Sequence, residues 1–188
     1  MKTMILASQS PRRKELLEKC GFPFITEPAD IDETLDTTLS LQDAIQDLAR
    51  RKAEHIFQNH KDAIVIGSDT IVTIDGEVLG KPKNDSDAFA MLKKLQGRSH
   101  DVITGIAILT SEETWTDVSV SHVTFDKMDD AEIRKYIATG ECHDKAGAYA
   151  IQGYGGRYIT HIDGDYYTIM GLPLNKVYAQ LTKIAKEQ

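Results

Sequence analysis

Residues 63–82 read AIVIGSDTIVTIDGEVLGKP, and the fold turns on how this stretch is parsed. The apolar run Ala63 to Ile66 has the length and β-branched content of a buried strand, and it breaks at Gly67-Ser68 where Asp69 appears. A second strand, Ile71 to Ile74, turns at Asp75-Gly76, the dipeptide most typical of a two-residue hairpin, and returns through Glu77-Val78-Leu79 to Gly80-Lys81-Pro82. Asp69 and Lys81 then stand near corresponding ends of paired strands. An acid and a base are thus expected at one edge of a sheet, where polar chemistry is usually found.

Working outward, the 188 residues are 41% hydrophobic and 27% charged, an ordinary globular balance that rules out disorder as the main character of the chain. Residues 1–188 are expected to form one domain of ordinary size or two small lobes. The net charge of -7 and a pI near 5.3 argue against a nucleic-acid polymer bound through its phosphate backbone, which needs a basic face. A small anion held by a few local cations remains open. No apolar run approaches the roughly 18 residues needed to cross a bilayer, and Met1-Lys2 leads into a strand-like segment rather than a signal peptide, so no membrane contact and a cytoplasmic location are expected. Cys20 and Cys142 have neither metal-ligand spacing nor a disulfide framework, and both are expected to be reduced and partly buried.

Upstream, Thr3 to Ala7 reads as a strand, Ser8-Gln9-Ser10 as a tight connection, and Pro11 as the first residue of a helix capped by Ser10 and closed at Cys20-Gly21. A hydroxyl-rich loop leading into a helix N-terminus is a ready anion site. Arg12 and Arg13 in the first turn oppose the helix dipole, which suggests that an anion compensates them; ordinary solvated arginines are the alternative. Phe22 to Glu27 looks like a strand with Phe22, Phe24 or Ile25 giving core contacts. The loop after it carries Asp30, Asp32, Glu33 and Asp36 with no basic residue among them. Taken alone such a cluster is more often a solvated loop than a metal site. Ser40 caps a helix from Leu41 to about Asn59 whose apolar stripe runs from Leu41 through Ala44, Ile45, Leu48 and Ala53 to Phe57. Arg50, Arg51 and Lys52 read as its wet face, except that Lys52 stands four residues from both Leu48 and Ile56. A lysine on a buried stripe needs a partner.

Downstream of the hairpin, a helix over 84–97 and strands over 102–110 and 115–125 are expected, then a helix from Ala131 to Ala138 closed by Gly140. Residues 146–156, AGAYAIQGYGG, allow close backbone approach either to a ligand or to a neighbouring strand. A strand over 157–162 and a helix over 174–185 complete the chain.

Cations placed for phosphates together with carboxylates placed for a divalent ion are the parts of phosphate-ester or phosphoanhydride chemistry. There is no GxxxxGK[ST] loop, no GxGxxG, no GxSxG elbow and no HExxH pair, so the commonest NTPase, dinucleotide, acyl-transfer and zinc-peptidase classes have no support.

The segments SQSPRR (8–13), GSDT (67–70), GKP (80–82) and IQG (151–153) follow the order and approximate spacing of the Maf family of nucleoside triphosphate pyrophosphatases, which the whole chain resembles. The resemblance implies a mixed α/β fold like that of the inosine triphosphate pyrophosphatases, with an elongated twisted sheet flanked by helices and two lobes around a central cleft, usually as a homodimer. It also implies hydrolysis of a nucleoside triphosphate between the α and β phosphates with Mg²⁺ or Mn²⁺. Carried over residue by residue, Asp69 resembles the proton acceptor, Arg13 and Lys81 would neutralise the triphosphate, Ser8 would contact phosphate, Lys52 matches a further basic position, and Glu33 with Asp69 would hold the metal. Arg12, Thr70 and Gln152 match the specificity positions of the subfamily preferring dTTP and UTP, with CTP and modified pyrimidine nucleotides as further candidates. A 7-methyl-GTP or other modified-purine pyrophosphatase, and a nucleotide-binding regulator of septum formation and cell division, are the competing expectations.

Overall fold

The computed structural model describes residues 2–187; the reading attached to Met1 lies outside the described residues. Among the described residues seven strands form one mixed sheet in the order β2-β1-β3-β5-β6-β7, with β4 paired to β3 off that path. The chain divides into two compact units.

The first unit comprises residues 1–69, 104–119 and 171–188. Strand β1 (Met4–Leu6) lies parallel both to β2 (Ile25–Thr26) and to β3 (Ile64–Ile74), with Ile5 opposite Ile25 and Val65. Buried on both faces, β1 is continuous apolar sequence, as inner parallel strands are. Strand β2 is the edge of the sheet, and for that reason the expected strand shrinks to two residues and Ile25 is 53% exposed rather than part of the core. Helix α1 (Pro11–Glu18) starts where read: the Ser10 hydroxyl accepts the Arg13 N–H at 3.4 Å, and the chain leaves the helix through Gly21 at φ +77°.

Helix α2 (Leu41–Phe57) is capped by Ser40, whose Oγ accepts the Asp43 N–H at 3.1 Å. Its stripe of Ala44, Ile45, Leu48, Ala49, Ala53 and Ile56 is buried, and Ala49, Ala53 and Ile56 join Ile5, Ala7, Val65, Ala107 and Leu109 in the core. Two glycines let α2 lie directly on the sheet. A Cβ at Gly67 would fall 2.2 Å from the Ala49 carbonyl oxygen, and one at Gly105 2.3 Å from that of Ile45. This corrects the sequence reading at its centre: Gly67 and Ser68 are buried and do not break the strand, and β3 runs unbroken through Asp69 to Ile74. Glycine stands there because a helix backbone occupies the space of its side chain. Helix α6 (Leu174–Glu187) packs Val177, Leu181 and Ile184 into the same unit.

The second unit comprises residues 70–103 and 120–170. Its hairpin joins β3 to β4 (Glu77–Leu79) with Val72 opposite Leu79, and Asp75 and Gly76 both take positive φ, 53° and 78°, as the expected primed turn requires. Helix α3 (Asp85–Leu95) is capped by Asn84, and α4 (Asp130–Ile137) by Asp129. Strand β5 (Ser99–Leu109) neighbours β6 (Thr114–Phe125), and both contribute to each unit. Strand β7 (Ile159–Asp163) pairs antiparallel with β6 across an irregularity at Thr124/Phe125. The five residues before it, Tyr154–Tyr158, form a 3₁₀ turn rather than the start of the strand, and a short helix, α5 (Tyr166–Met170), follows it unforeseen. His100, Phe125 and Tyr149 pack edge to face in the core of this unit. Both cysteines are free and buried, and burial pushes the Cys20 thiol up to about 11. No helix among the described residues is long and apolar enough to cross a membrane.

Candidate active site

In the first unit five of the expected site residues converge. Ser8 follows the end of β1, is buried, and its Oγ accepts the Ser10 N–H at 3.1 Å and an Arg13 Nη1–H at 3.5 Å. Arg13, in the first turn of α1, turns away from solvent. Its Nε donates to the Gly171 carbonyl at 2.8 Å, and its Nη2 lies 3.8 Å from Asp69 Oδ1. Burial pulls the Arg13 pKa below the ordinary guanidinium value; the Asp69 charge opposes that shift and the like charge of Arg12 adds to it. Arg12, half-buried beside it, completes the first turn.

Asp69 stands on β3 two residues beyond Gly67, where α2 sits on the sheet. The helix residue that reaches it is Lys52, only 7% exposed, whose ammonium is hydrogen-bonded to Asp69 and lies 2.7 Å from Glu33 Oε1. The lysine on the apolar stripe therefore does have partners, and they are the two carboxylates singled out for a metal.

The acidic loop is ordered carboxylate by carboxylate. Asp32 Oδ1 accepts the Thr34 N–H and hydroxyl at 2.9 and 2.6 Å, and Asp36 does the same with Thr38; these bonds lower the pKa of both aspartates. Glu33 is left facing Lys52. Arg51, read from sequence as part of a wet helix face, holds the loop there: its Nη1 and Nη2 donate to the carbonyls of Asp32 and Thr34, on either side of Glu33, at 2.7 and 2.9 Å. The Asp47 carboxylate steadies its Nε at 2.9 Å.

Two other contributors went unread. Ser68, fully buried, donates from Oγ to the Gly171 carbonyl at 3.0 Å, the same oxygen that receives Arg13. Gly171 itself adopts φ +110°, which glycine alone adopts readily. Local sequence gives no sign of either role, because the partners are 103 and 158 positions apart. For Lys52, by contrast, the spacing between Leu48 and Ile56 was a usable signal.

Thr70, Lys81 and Gln152 belong to the second unit. Thr70 is half-buried on β3, Lys81 is exposed just beyond β4, and Gln152 is exposed in the turn ahead of Tyr154–Tyr158. Within that unit the carbonyl of Gly80 accepts the N–H of Gly147, tying the backbone before Lys81 to the glycine-rich segment. No cluster of three or more His, Cys, Asp or Glu able to hold a metal occurs among the described residues. Chemically, the first unit thus offers a carboxylate held between an ammonium and a guanidinium, next to a serine-lined helix start. That set is suited to a polyanion whose phosphates displace or share those cations.

Among solved structures, the Staphylococcus aureus Ham1 protein superposes with a TM-score of 0.54 over 97% of this chain and 99% of its own at 15% identity, so the mixed α/β fold is shared with it. A dTTP/UTP pyrophosphatase of Bacillus cereus is 45% identical over 96% of this chain and 89% of its own length. One of Shouchella clausii is 43% identical over 97% and 96%. The Maf-like protein family model matches residues 3–184. With that coverage, and with the motifs at 8–13, 67–70, 80–82 and 151–153 falling within the match, the chain belongs to the Maf family.

Proposed function

We propose that the chain hydrolyses nucleoside triphosphates between the α and β phosphates, releasing a nucleoside monophosphate and pyrophosphate, with dTTP and UTP as preferred substrates. The observation that carries this reading is the carboxylate of Asp69 held between Arg13 and Lys52 on the unit that also presents Ser8 and the α1 start. Relatives named dTTP/UTP pyrophosphatases, matched over nearly the full chain, support the substrate.

In this reading Asp69 accepts a proton from water as the water oxygen attacks the α phosphorus; the bond to the bridging oxygen breaks and pyrophosphate departs with its electron pair. Arg13, Lys52 and Lys81 offset the charge of the triphosphate, and Ser8 hydrogen-bonds a phosphate oxygen. Arg12, Thr70 and Gln152 select the base, the Gln152 amide being able both to donate to and to accept from a pyrimidine edge. Glu33 and Asp69 are the residues that would hold Mg²⁺ or Mn²⁺. Both converge on one positive centre, the Lys52 ammonium, and a pair of carboxylates completed by substrate phosphates is a common donor set for Mg²⁺. When bound, the cation supplies charge neutralisation and polarises the phosphoryl oxygens. The protein acts in this reading as a cytoplasmic homodimer on free nucleotides.

Pyrophosphate release over a nucleotide panel is the test. Release from dTTP and UTP should exceed release from purine triphosphates and fall by about 10³-fold or more in Asp69→Asn, as loss of a catalytic base requires. Full activity in that variant, or a preference for 7-methyl-GTP, overturns the proposal.

A further inference from the structure

The turn that carries Gln152 is held from beneath by two side chains that the catalytic reading does not use. Glu141 Oε1 accepts the Tyr154 N–H at 2.8 Å, and its Oε2 accepts the Gly155 N–H at 2.9 Å and the Tyr136 hydroxyl at 2.7 Å. The Tyr136 oxygen in turn accepts the N–H of Ala150 at 3.2 Å. Tyr136 is fully buried in α4, and burial followed by the Glu141 contact raises its pKa, so the hydroxyl keeps its proton as a donor. The chain is therefore pinned two residues before Gln152 and again two and three residues after it.

The glycines of this segment follow from the same packing. A Cβ on Gly153 would lie 1.8 Å from Glu141 Oε1, one on Gly155 2.7 Å from the Ala150 carbonyl, and one on Gly156 2.3 Å from that of Ile151. The close backbone approach expected of residues 146–156 is made here to the protein's own carboxylate and backbone, and at Gly147 to Val72 of β3, where a Cβ would lie 2.9 Å from the valine side chain. Gln152 itself remains exposed, and the backbone held to either side fixes the point and direction from which its side chain leaves the turn.

We propose that Glu141, acting with Tyr136, is a positioning residue for base selection: by fixing residues 150–155 it presents the Gln152 amide to the nucleobase. This rests on the reading of Gln152 as a specificity residue. Glu141 touches neither triphosphate nor water in this role, and its loss should be felt in the choice of base rather than equally in every reaction.

The experiment compares kcat/KM for dTTP, UTP, CTP, GTP and ATP in Glu141→Gln, Tyr136→Phe, Gln152→Ala and the Glu141→Gln/Gln152→Ala double variant of the full chain. The amide of Glu141→Gln removes one acceptor and adds a donor facing an N–H, whereas Tyr136→Phe removes the hydroxyl that bridges Ala150. Each should narrow the dTTP-to-GTP ratio by about tenfold, the worth of one or two hydrogen bonds, mainly through a rise in KM for the pyrimidine nucleotides. Adding Glu141→Gln to Gln152→Ala should change that ratio no further. A uniform fall over all five nucleotides, or an unchanged ratio in both Glu141→Gln and Tyr136→Phe, overturns the positioning role. If Gln152→Ala narrows the ratio and these two do not, the positioning inference alone has failed; if Gln152→Ala leaves the ratio unchanged, the specificity reading has failed with it.

Discussion

Arg13 shows how much of the site depends on direction rather than charge. Its planar fork reaches Gly171 O, Ser8 Oγ and Asp69 at once, a geometry that an ammonium cannot reproduce. Arg13→Lys should therefore lower kcat/KM by about 100-fold while leaving the net charge unchanged, the equivalent of ~3 kcal/mol for a lost charge-assisted pair. Steady-state kinetics on dTTP checks this, and a loss under tenfold would show that charge alone suffices. Ser68→Ala removes only one of the two donors on the Gly171 carbonyl and should cost roughly fivefold in the same assay, about 1 kcal/mol. At this scale the sequence showed which residue types were present and, for Lys52, that a partner was needed. It did not show Ser68, Arg51 or Gly171, since a serine in a strand, an arginine on a helix and a glycine before Leu172-Pro173 look the same whether or not a distant group faces them.

At the level of elements, the site rests on how closely α2 approaches the sheet. Ala49 and Ala53 lie over Gly67, and Lys52, between them in sequence, thereby reaches Asp69. Gly67→Ala puts a methyl group 2.2 Å from a backbone oxygen, so helix and strand must separate. The expected outcome is a loss of about 2–3 kcal/mol in urea unfolding, typical of overpacking, with activity reduced because Lys52 is displaced from Asp69. An unchanged urea midpoint would mean that the interface gives way without strain. The hairpin at Asp75-Gly76, the caps Ser10 and Ser40 and the apolar stripe of α2 were all legible, because each depends on residues within a turn or two of one another. The continuity of β3 was not. Gly67-Ser68 has the composition of a loop, and only the helix lying on it explains why a strand should carry a glycine there.

For the molecule as a whole, stability should depend on pH through His100. Its Nε2 is 2.7 Å from the Tyr149 hydroxyl, its Nδ1 is buried with no hydrogen-bond partner among the described residues, and burial lowers its pKa from 6.5 to about 4. Between those values the unfolded chain takes up a proton that the folded chain refuses, so stability is complete above pH 6.5 and declines as the pH falls towards 4. The shift corresponds to about 3 kcal/mol. Denaturant midpoints measured across that range should fall with acidity, and the slope should flatten in His100→Phe; a slope identical in both proteins would assign the acid sensitivity elsewhere. The overall class, mixed α/β, and the expectation of two lobes followed from the resemblance carried by the motifs at 8–13, 67–70, 80–82 and 151–153, whereas local patterns gave only individual strands and helices. Which residues fall in which unit was not legible, since each unit is assembled from separated stretches.

That discontinuity bears on how the protein is made. Arg13 is translated 158 positions before Gly171, whose carbonyl orients it. A nascent chain that has already displayed Ser8, Arg13, Lys52 and Asp69 still lacks the acceptor that aims the guanidinium, and it lacks α6 from the same unit. Competence to hydrolyse nucleotides should therefore be acquired only after residue 171 has been added. Ribosome-bound fragments ending before residue 171 should bind and turn over nucleotide poorly even where β1, β3 and α2 have already formed.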